Sequence, residues 1–208
     1  MKGKFITFEG CEGAGKSKQI KLLKEYLQRN NIKYILTREP GGADLSEKIR
    51  ELLLSADNVG ITPVTEALLF AAARAQHVHD VIKPNLEQGV LVLCDRFIDS
   101  SLAYQGVANG LGFDYVDSIN KRAIDGCYPD ATIFLQITPE DAFSRKGGAD
   151  LNDRIEQSGM DFHKKVYSGY LTASTVYTDR FLSIDCSGTV METHGKIISA
   201  LKAKGILP

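Results

Sequence analysis

The sequence predicts an α/β protein: a parallel five-stranded sheet flanked by helices. Two observations lead there. Short runs rich in β-branched and aromatic residues alternate with longer stretches of helical period. One of those runs, VLVLC at 90–94, is apolar at every position, as a strand covered on both faces of a parallel sheet would be. In order, the strands are expected near 4–8 (KFITF), 34–37 (YILT), 90–94 (VLVLC), 132–137 (TIFLQI) and 181–184 (FLSI). The helical stretches are about 16–30, 45–55, 63–88, 114–126, 139–145, 160–178 and 189–204. The polar segment RKGGADLNDR, 145–154, with its Gly147-Gly148 pair, reads as a loop or small lid spanning about 144–156.

Composition narrows the class. A chain of 208 residues suits one domain, 1–208, of ordinary size. Its 25 basic and 26 acidic side chains leave no global field for nucleic acid or an anionic membrane, so neither is an expected partner and any anion site must be built locally. The N-terminal MKGKFITFEG meets Glu9 before any long apolar run develops, and no stretch approaches the length of a membrane span. Cys11, Cys94, Cys127 and Cys186 form no CxxC pair and no zinc-like spacing with the four histidines. A reduced, cytoplasmic protein without structural metal is the expectation.

GCEGAGKS, Gly10–Ser17, matches GxxxxGKS between an expected strand and an expected helix. Glycines let the backbone of Gly10, Cys11, Glu12, Gly13, Ala14 and Gly15 curl around phosphate oxygens and point N–H groups at them. Lys16 adds a point charge and Ser17 a hydroxyl for Mg²⁺. A nucleoside triphosphate is therefore the expected co-substrate and Mg²⁺ the expected cofactor. Asp95, at the end of VLVLC, supplies the second carboxylate that such sites use for the metal or its waters. A guanine-reading NKxD is not matched: Asn120-Lys121-Arg122-Ala123 has Ala in place of the acid and lies in an expected helix, which disfavours a switch GTPase.

The remaining motifs fix the acceptor. FEGCEGAGKS, TREPGG (37–42), LLFAAAR (68–74), DRFIDSSLAYQG (95–106) and DRIE (153–156) stand in the order and spacing of thymidylate kinases, and the chain resembles that family from about residue 4 to 170. The resemblance implies a P-loop nucleoside monophosphate kinase fold with a small lid, a homodimer, and transfer of the γ-phosphoryl group of ATP to dTMP, giving dTDP and ADP in the supply of dTTP. It implies further that Arg96 grips the acceptor phosphate, that Phe70 stacks on thymine and that Arg74 bonds the base. Ser101, Tyr104 and Gln105 would line base and sugar, with the Tyr104 ring against the deoxyribose. Glu12 would turn to the 3′-hydroxyl, and Arg38 and Arg50 would complete the pocket. Spacing agrees in part: 70 and 74, and 101, 104 and 105, can each share one helix face.

One departure matters. Some thymidylate kinases carry an Arg in the phosphate loop after the acid, and Gly13 stands there in this chain, as in the bacterial type that takes its cation from the lid. Arg145 and Arg154, which flank the lid, are the candidates. Cys11 reads as a tolerated small residue. TEALLFAAA, 65–73, is apolar on more than one face and suits either a deep core or a dimer interface. Another kinase of the same core, or a P-loop binding or switch module, are the competing readings.

Overall fold

Strand β1 (Phe5–Glu9) is buried along its whole length, and the rest of the sheet is laid out from it. In the computed structural model, which describes residues 2–58, 60–146 and 153–208, it pairs with β3 (Leu91–Asp95) on one side and β4 (Ala131–Gln136) on the other. With β2 (Tyr34–Arg38) and β5 (Phe181–Asp185) the order is β2-β3-β1-β4-β5, all parallel. Parallel neighbours need crossovers, and these put helices on both faces. On one face α1 (Lys16–Arg29) buries Ile20, Leu23 and Leu27 with Phe8, Leu93 and two residues of α9 (Val190–Ala203), Ile197 and Leu201. On the other, Phe5, Val92 and Cys94 meet Phe97, Ile98 and Leu102. At ~25 cal/mol per Å² of apolar surface, each such side chain contributes roughly 1.5–3 kcal/mol against the entropy of ordering it.

The register decides where chemistry can occur. Phe8 lies opposite Asp95, so the chain leaves β1 at Gly10 beside the point where it leaves β3 at Arg96. Both exits are carboxyl ends of central strands, where open α/β sheets bind ligands. The described structure also contains α2 (Asp44–Leu54), α3 (Pro63–His77), α4 (Lys83–Glu87), α5 (Ile98–Ser101), α6 (Phe113–Ala123), α7 (Pro139–Lys146) and α8 (Met160–Val176). Thr62 caps α3 ahead of Pro63, and Thr189 with Glu192 forms a capping box on α9.

Element types agree with the sequence reading, and the differences have local causes. β1 and β3 each run one residue further, to Glu9, which is buried, and to Asp95, which stays in register with Arg38 of β2. The helix expected over 63–88 widens into a π-helical stretch, Val78–Ile82, before α4. Pro84 has no N–H for the α-helical ladder, and the amide of Lys83 reaches back to Val78 O. A second π-helical stretch, Leu102–Ala108, follows α5 where the sequence suggested an ordinary turn of helix. The Gly147-Gly148 pair, and with it the lid interior 147–152, lies outside the described residues. No helix among the described residues is long and apolar enough to cross a membrane.

Helix α8 seats the second π-helical stretch by close approach. A Cβ added at Gly169 would lie 2.6 Å from Ala103 Cα, nearer than real Cβ contacts come. Gly169→Ala is therefore expected to push α8 off this segment at a cost of about 2 kcal/mol. A loss of roughly 4–8 °C in melting temperature is the expected reading; an unchanged melt would show that the two elements separate freely.

Candidate active site

The glycine-rich loop closes on itself. Lys16 is nearly buried and donates to the carbonyls of Gly10 (3.0 Å) and Cys11 (3.1 Å). Burial, with the Arg96 charge nearby, lowers its pKa. Two of its three N–H groups are used, which leaves one for an anion. Gly15, Lys16 and Ser17 face a cavity of about 540 Å³, together with Glu12 and Gly13. Cys11 and Ala14 are packed in the core below it, and burial pushes the Cys11 thiol up to about 11. A thiol so placed is unreactive.

Arg96 bridges this loop to the rest of the cavity. Its backbone is left-handed, φ 68°, held by its own amide on Phe8 O (3.0 Å) and by the next amide, Phe97, on Glu9 Oε1 (2.7 Å). Its Nη2 pairs with Glu12, while Nη1 donates to Tyr170 Oη (2.9 Å), Ser100 Oγ (3.2 Å) and Gly10 O (3.3 Å). The guanidinium also lies 5.3 Å from the Tyr104 ring centre. Burial works against ionisation of Glu12, but Arg96 and Lys16 outweigh it and hold the carboxyl well below the usual range.

Beyond Arg96 the cavity is lined by Phe70, Arg74, Ser101, Tyr104 and Gln105. Arg74 is buried and almost fully paired: Nε to Glu39 (2.7 Å), Nη1 to Ser101 Oγ (2.9 Å) and Asn120, and Nη2 to Phe97 O (3.0 Å). Of its five N–H groups one is left for a ligand. Tyr104 Oη is buried with no hydrogen-bond partner among the described residues. Arg38 forms a two-pronged pair with Glu47 (2.6 and 3.0 Å), which holds that acid down to about 2, and Arg50 donates to Pro40 O (2.8 Å). Both arginines reach the cavity wall.

The two lid arginines part company. Arg145 lines the cavity and donates to Cys186 O (3.1 Å). Arg154 does not line it: its guanidinium pairs with Glu66 on α3 and donates to Leu53 O (3.2 and 3.3 Å). The lid cation that does approach the loop is Lys146, 3.9 Å from Glu12 and paired with Glu156. Gly13 explains how α7 comes so near. Its φ is 79°, and a Cβ there would overlap the Ala142 carbonyl.

Comparison with known proteins agrees with this geometry. The family model described as thymidylate kinase matches residues 8–197. The thymidylate kinase of Thermoanaerobacter sp. (strain X514) is 48% identical over 202 residues, covering 97% of this chain and 98% of its own. That of Clostridium novyi (strain NT) is 46% identical over 203 residues, covering 97% and 99%. The crystal structure of thymidylate kinase from Ehrlichia chaffeensis superposes with a TM-score of 0.78 at 34% identity, over 97% of this chain and all of that one. This chain belongs to the thymidylate kinase family. The reaction of thymidylate kinases is transfer of the ATP γ-phosphoryl group to dTMP.

Several residues around this thymidylate kinase site escape a motif reading. Glu9 accepts three hydrogen bonds beneath Arg96, and burial together with Asp99 pushes its pKa up to about 7. Asn120, seen in the sequence only as part of a failed NKxD, steadies Arg74 and anchors its own amide on Val116 O (2.8 Å). Glu66 gathers Gln105, Asn109 and Arg154. Each is a polar residue within a helix or strand, and the only sequence signal was an acid or amide at a position the period assigns to the core.

Proposed function

We propose that ATP lies on the Gly10–Ser17 loop, that dTMP fills the cavity beyond Arg96, and that the γ-phosphoryl group passes in line between them. One observation carries this reading: a single cavity joins Lys16 and Asp95 to Arg74, Tyr104 and Gln105, with Arg96 touching both the loop and the Tyr104 ring. Lys16 holds the donor phosphates and Arg96 the acceptor phosphate, so two like-charged groups that repel in water are brought into line. Phe70 stacks on the base, the last N–H of Arg74 reaches it, and the Tyr104 ring packs on the deoxyribose. Ser101 and Gln105 close the wall, Arg38 and Arg50 the phosphate side. Glu12 faces the 3′-hydroxyl while tied to Arg96.

Ser17 and Asp95 fit a Mg²⁺ ion carried in with ATP. Asp95 Oδ1 is buried without a hydrogen-bond partner among the described residues, which suits an acceptor for a hydrated cation. When bound, the ion neutralises charge on the donor phosphates. Gly13 contributes no side chain, so the cation at the transferred group comes from α7, from Arg145 and Lys146. Arg154 supports the base pocket through Glu66 instead.

The reading extends to assembly and location. α2 and α3 pack together and leave Leu45, Leu52, Val64 and Leu68 about half exposed, an apolar face that suits a homodimer interface. Four free, buried cysteines suit the reducing cytoplasm.

ADP formation from ATP, Mg²⁺ and each monophosphate in turn tests the whole reading: dTMP is expected to lead, and preference for another acceptor would overturn it. In the same assay Lys16→Met should keep its fold and lose at least about a hundredfold in kcat. On the lid, Lys146→Met and Arg145→Ala should lower kcat by at least about tenfold with little change in KM for dTMP, and Arg154→Ala should chiefly raise that KM. The opposite pattern would return the cation to Arg154. Sedimentation is expected to give a dimer; a monomer at micromolar concentration would remove the α2/α3 interface.

A further inference from the structure

The end of β1 holds an acid that does not line the cavity. Glu9 is fully buried. Its Oε1 accepts from the Phe97 amide at 2.7 Å, and its Oε2 accepts from the Ser100 hydroxyl at 2.6 Å and the Tyr170 hydroxyl at 3.0 Å. The two hydroxyl oxygens, Ser100 Oγ and Tyr170 Oη, in turn accept from Arg96 Nη1, at 3.2 and 2.9 Å.

A hydroxyl has one proton to place, and a carboxylate can only accept. The protons of Ser100 and Tyr170 therefore run toward Glu9, which leaves oxygen lone pairs facing the guanidinium. The two hydroxyl oxygens are 2.8 Å apart, and if one donates to the other the chain of protons still ends on Glu9. The other carboxylate oxygen pins the peptide just after Arg96, whose backbone is left-handed, a conformation that costs about 1–2 kcal/mol for a residue with a Cβ. Both oxygens of one buried acid thus act on Arg96, through its hydroxyl acceptors and through its backbone.

We propose that Glu9 is a positioning residue for phosphoryl transfer: it sets the proton direction of Ser100 and Tyr170 so that both accept from Arg96 and hold the guanidinium at the acceptor phosphate. The proposal rests on Arg96 as the residue that grips that phosphate. The interaction does not require Glu9 to touch dTMP. Its effect is on how well Arg96 is preorganised, and so on dTMP rather than on ATP.

Glu9→Gln separates this role from simple packing. The amide keeps the side-chain shape and an acceptor for Phe97, but sets an NH₂ donor against the two hydroxyls, whose protons then turn toward Arg96. In kinetics at about pH 8.5, above the value of about 7 to which burial raises Glu9, KM for dTMP should rise about tenfold while KM for ATP stays within about twofold. A cycle with Ser100→Ala/Tyr170→Phe decides the mechanism. Once both hydroxyls are gone, Glu9→Gln should add less than about a twofold further rise.

Effects that multiply independently across that cycle would overturn the proposal, as would a normal KM for dTMP in folded Glu9→Gln. If Glu9→Gln does not fold, the hydroxyl variant alone decides, and an unchanged KM for dTMP there overturns the idea. Arg96→Lys tests the underlying reading separately. A normal KM for dTMP in that enzyme removes Arg96 from the phosphate; a raised one beside a normal Glu9→Gln removes only the role of Glu9.

Discussion

The guanidinium of Arg96 sits between the carboxyl ends of β1 and β3 on a left-handed backbone, and it is stable there only because Glu12, Gly10 O and the Ser100 and Tyr170 hydroxyls surround it. An isolated charge moved from water to such a place would cost several kcal/mol. The partners come from three separate segments, the loop after β1, α5 and α8, and meet Arg96 in the turn after β3. Correct assembly of the sheet is thus a condition for a stable Arg96, and the fold and the site are stabilised by the same contacts. Removal of any one partner leaves the charge under-satisfied, so the stability of the fold and the geometry of the cavity should suffer together.

A second buried cation organises the far end of the cavity. Arg74 is held by Glu39 from the turn after β2, by Asn120 from α6 and by Ser101 from α5, while Glu39 also accepts from His77 at 2.9 Å. His77 in turn meets Thr37 Oγ1 at 2.7 Å, which ties the end of β2 to α3. With so many bonds the guanidinium has almost no freedom left. A side chain this rigid cannot move to meet a mismatched partner at its one remaining N–H.

Much of this was legible in the sequence, for physical reasons. Strands of the sheet are short apolar runs, and a phosphate loop has a fixed pattern of glycines, so both are local properties of a few consecutive residues. Phe70 with Arg74, and Ser101 with Tyr104 and Gln105, were visible as neighbours because helix geometry brings residues three and four apart together. What stayed hidden depends on contacts between distant segments. Glu9 looked like the end of an apolar run, and only the donors supplied by residues 97, 100 and 170 let its carboxylate lie buried there. The sequence over 63–88 reads as one continuous helix, and the structure widens it into a π-helical turn ahead of Pro84. The allegiance of Arg154 to Glu66 and the approach of Lys146 to Glu12 are likewise set by tertiary packing alone.

The contact between Gly13 and Ala142 restricts what the loop can carry. A side chain in the loop and a helix pressed against it compete for one volume, so a cation supplied from the loop and a lid helix seated this closely are mutually exclusive designs. A single change at position 13 would add a charge but displace α7, and retraction of α7 alone would withdraw Lys146 and add nothing in its place. Passage between the two arrangements has to alter both segments together. Steric conflict at one glycine is enough to tie the composition of the loop to the seating of a helix far away in sequence.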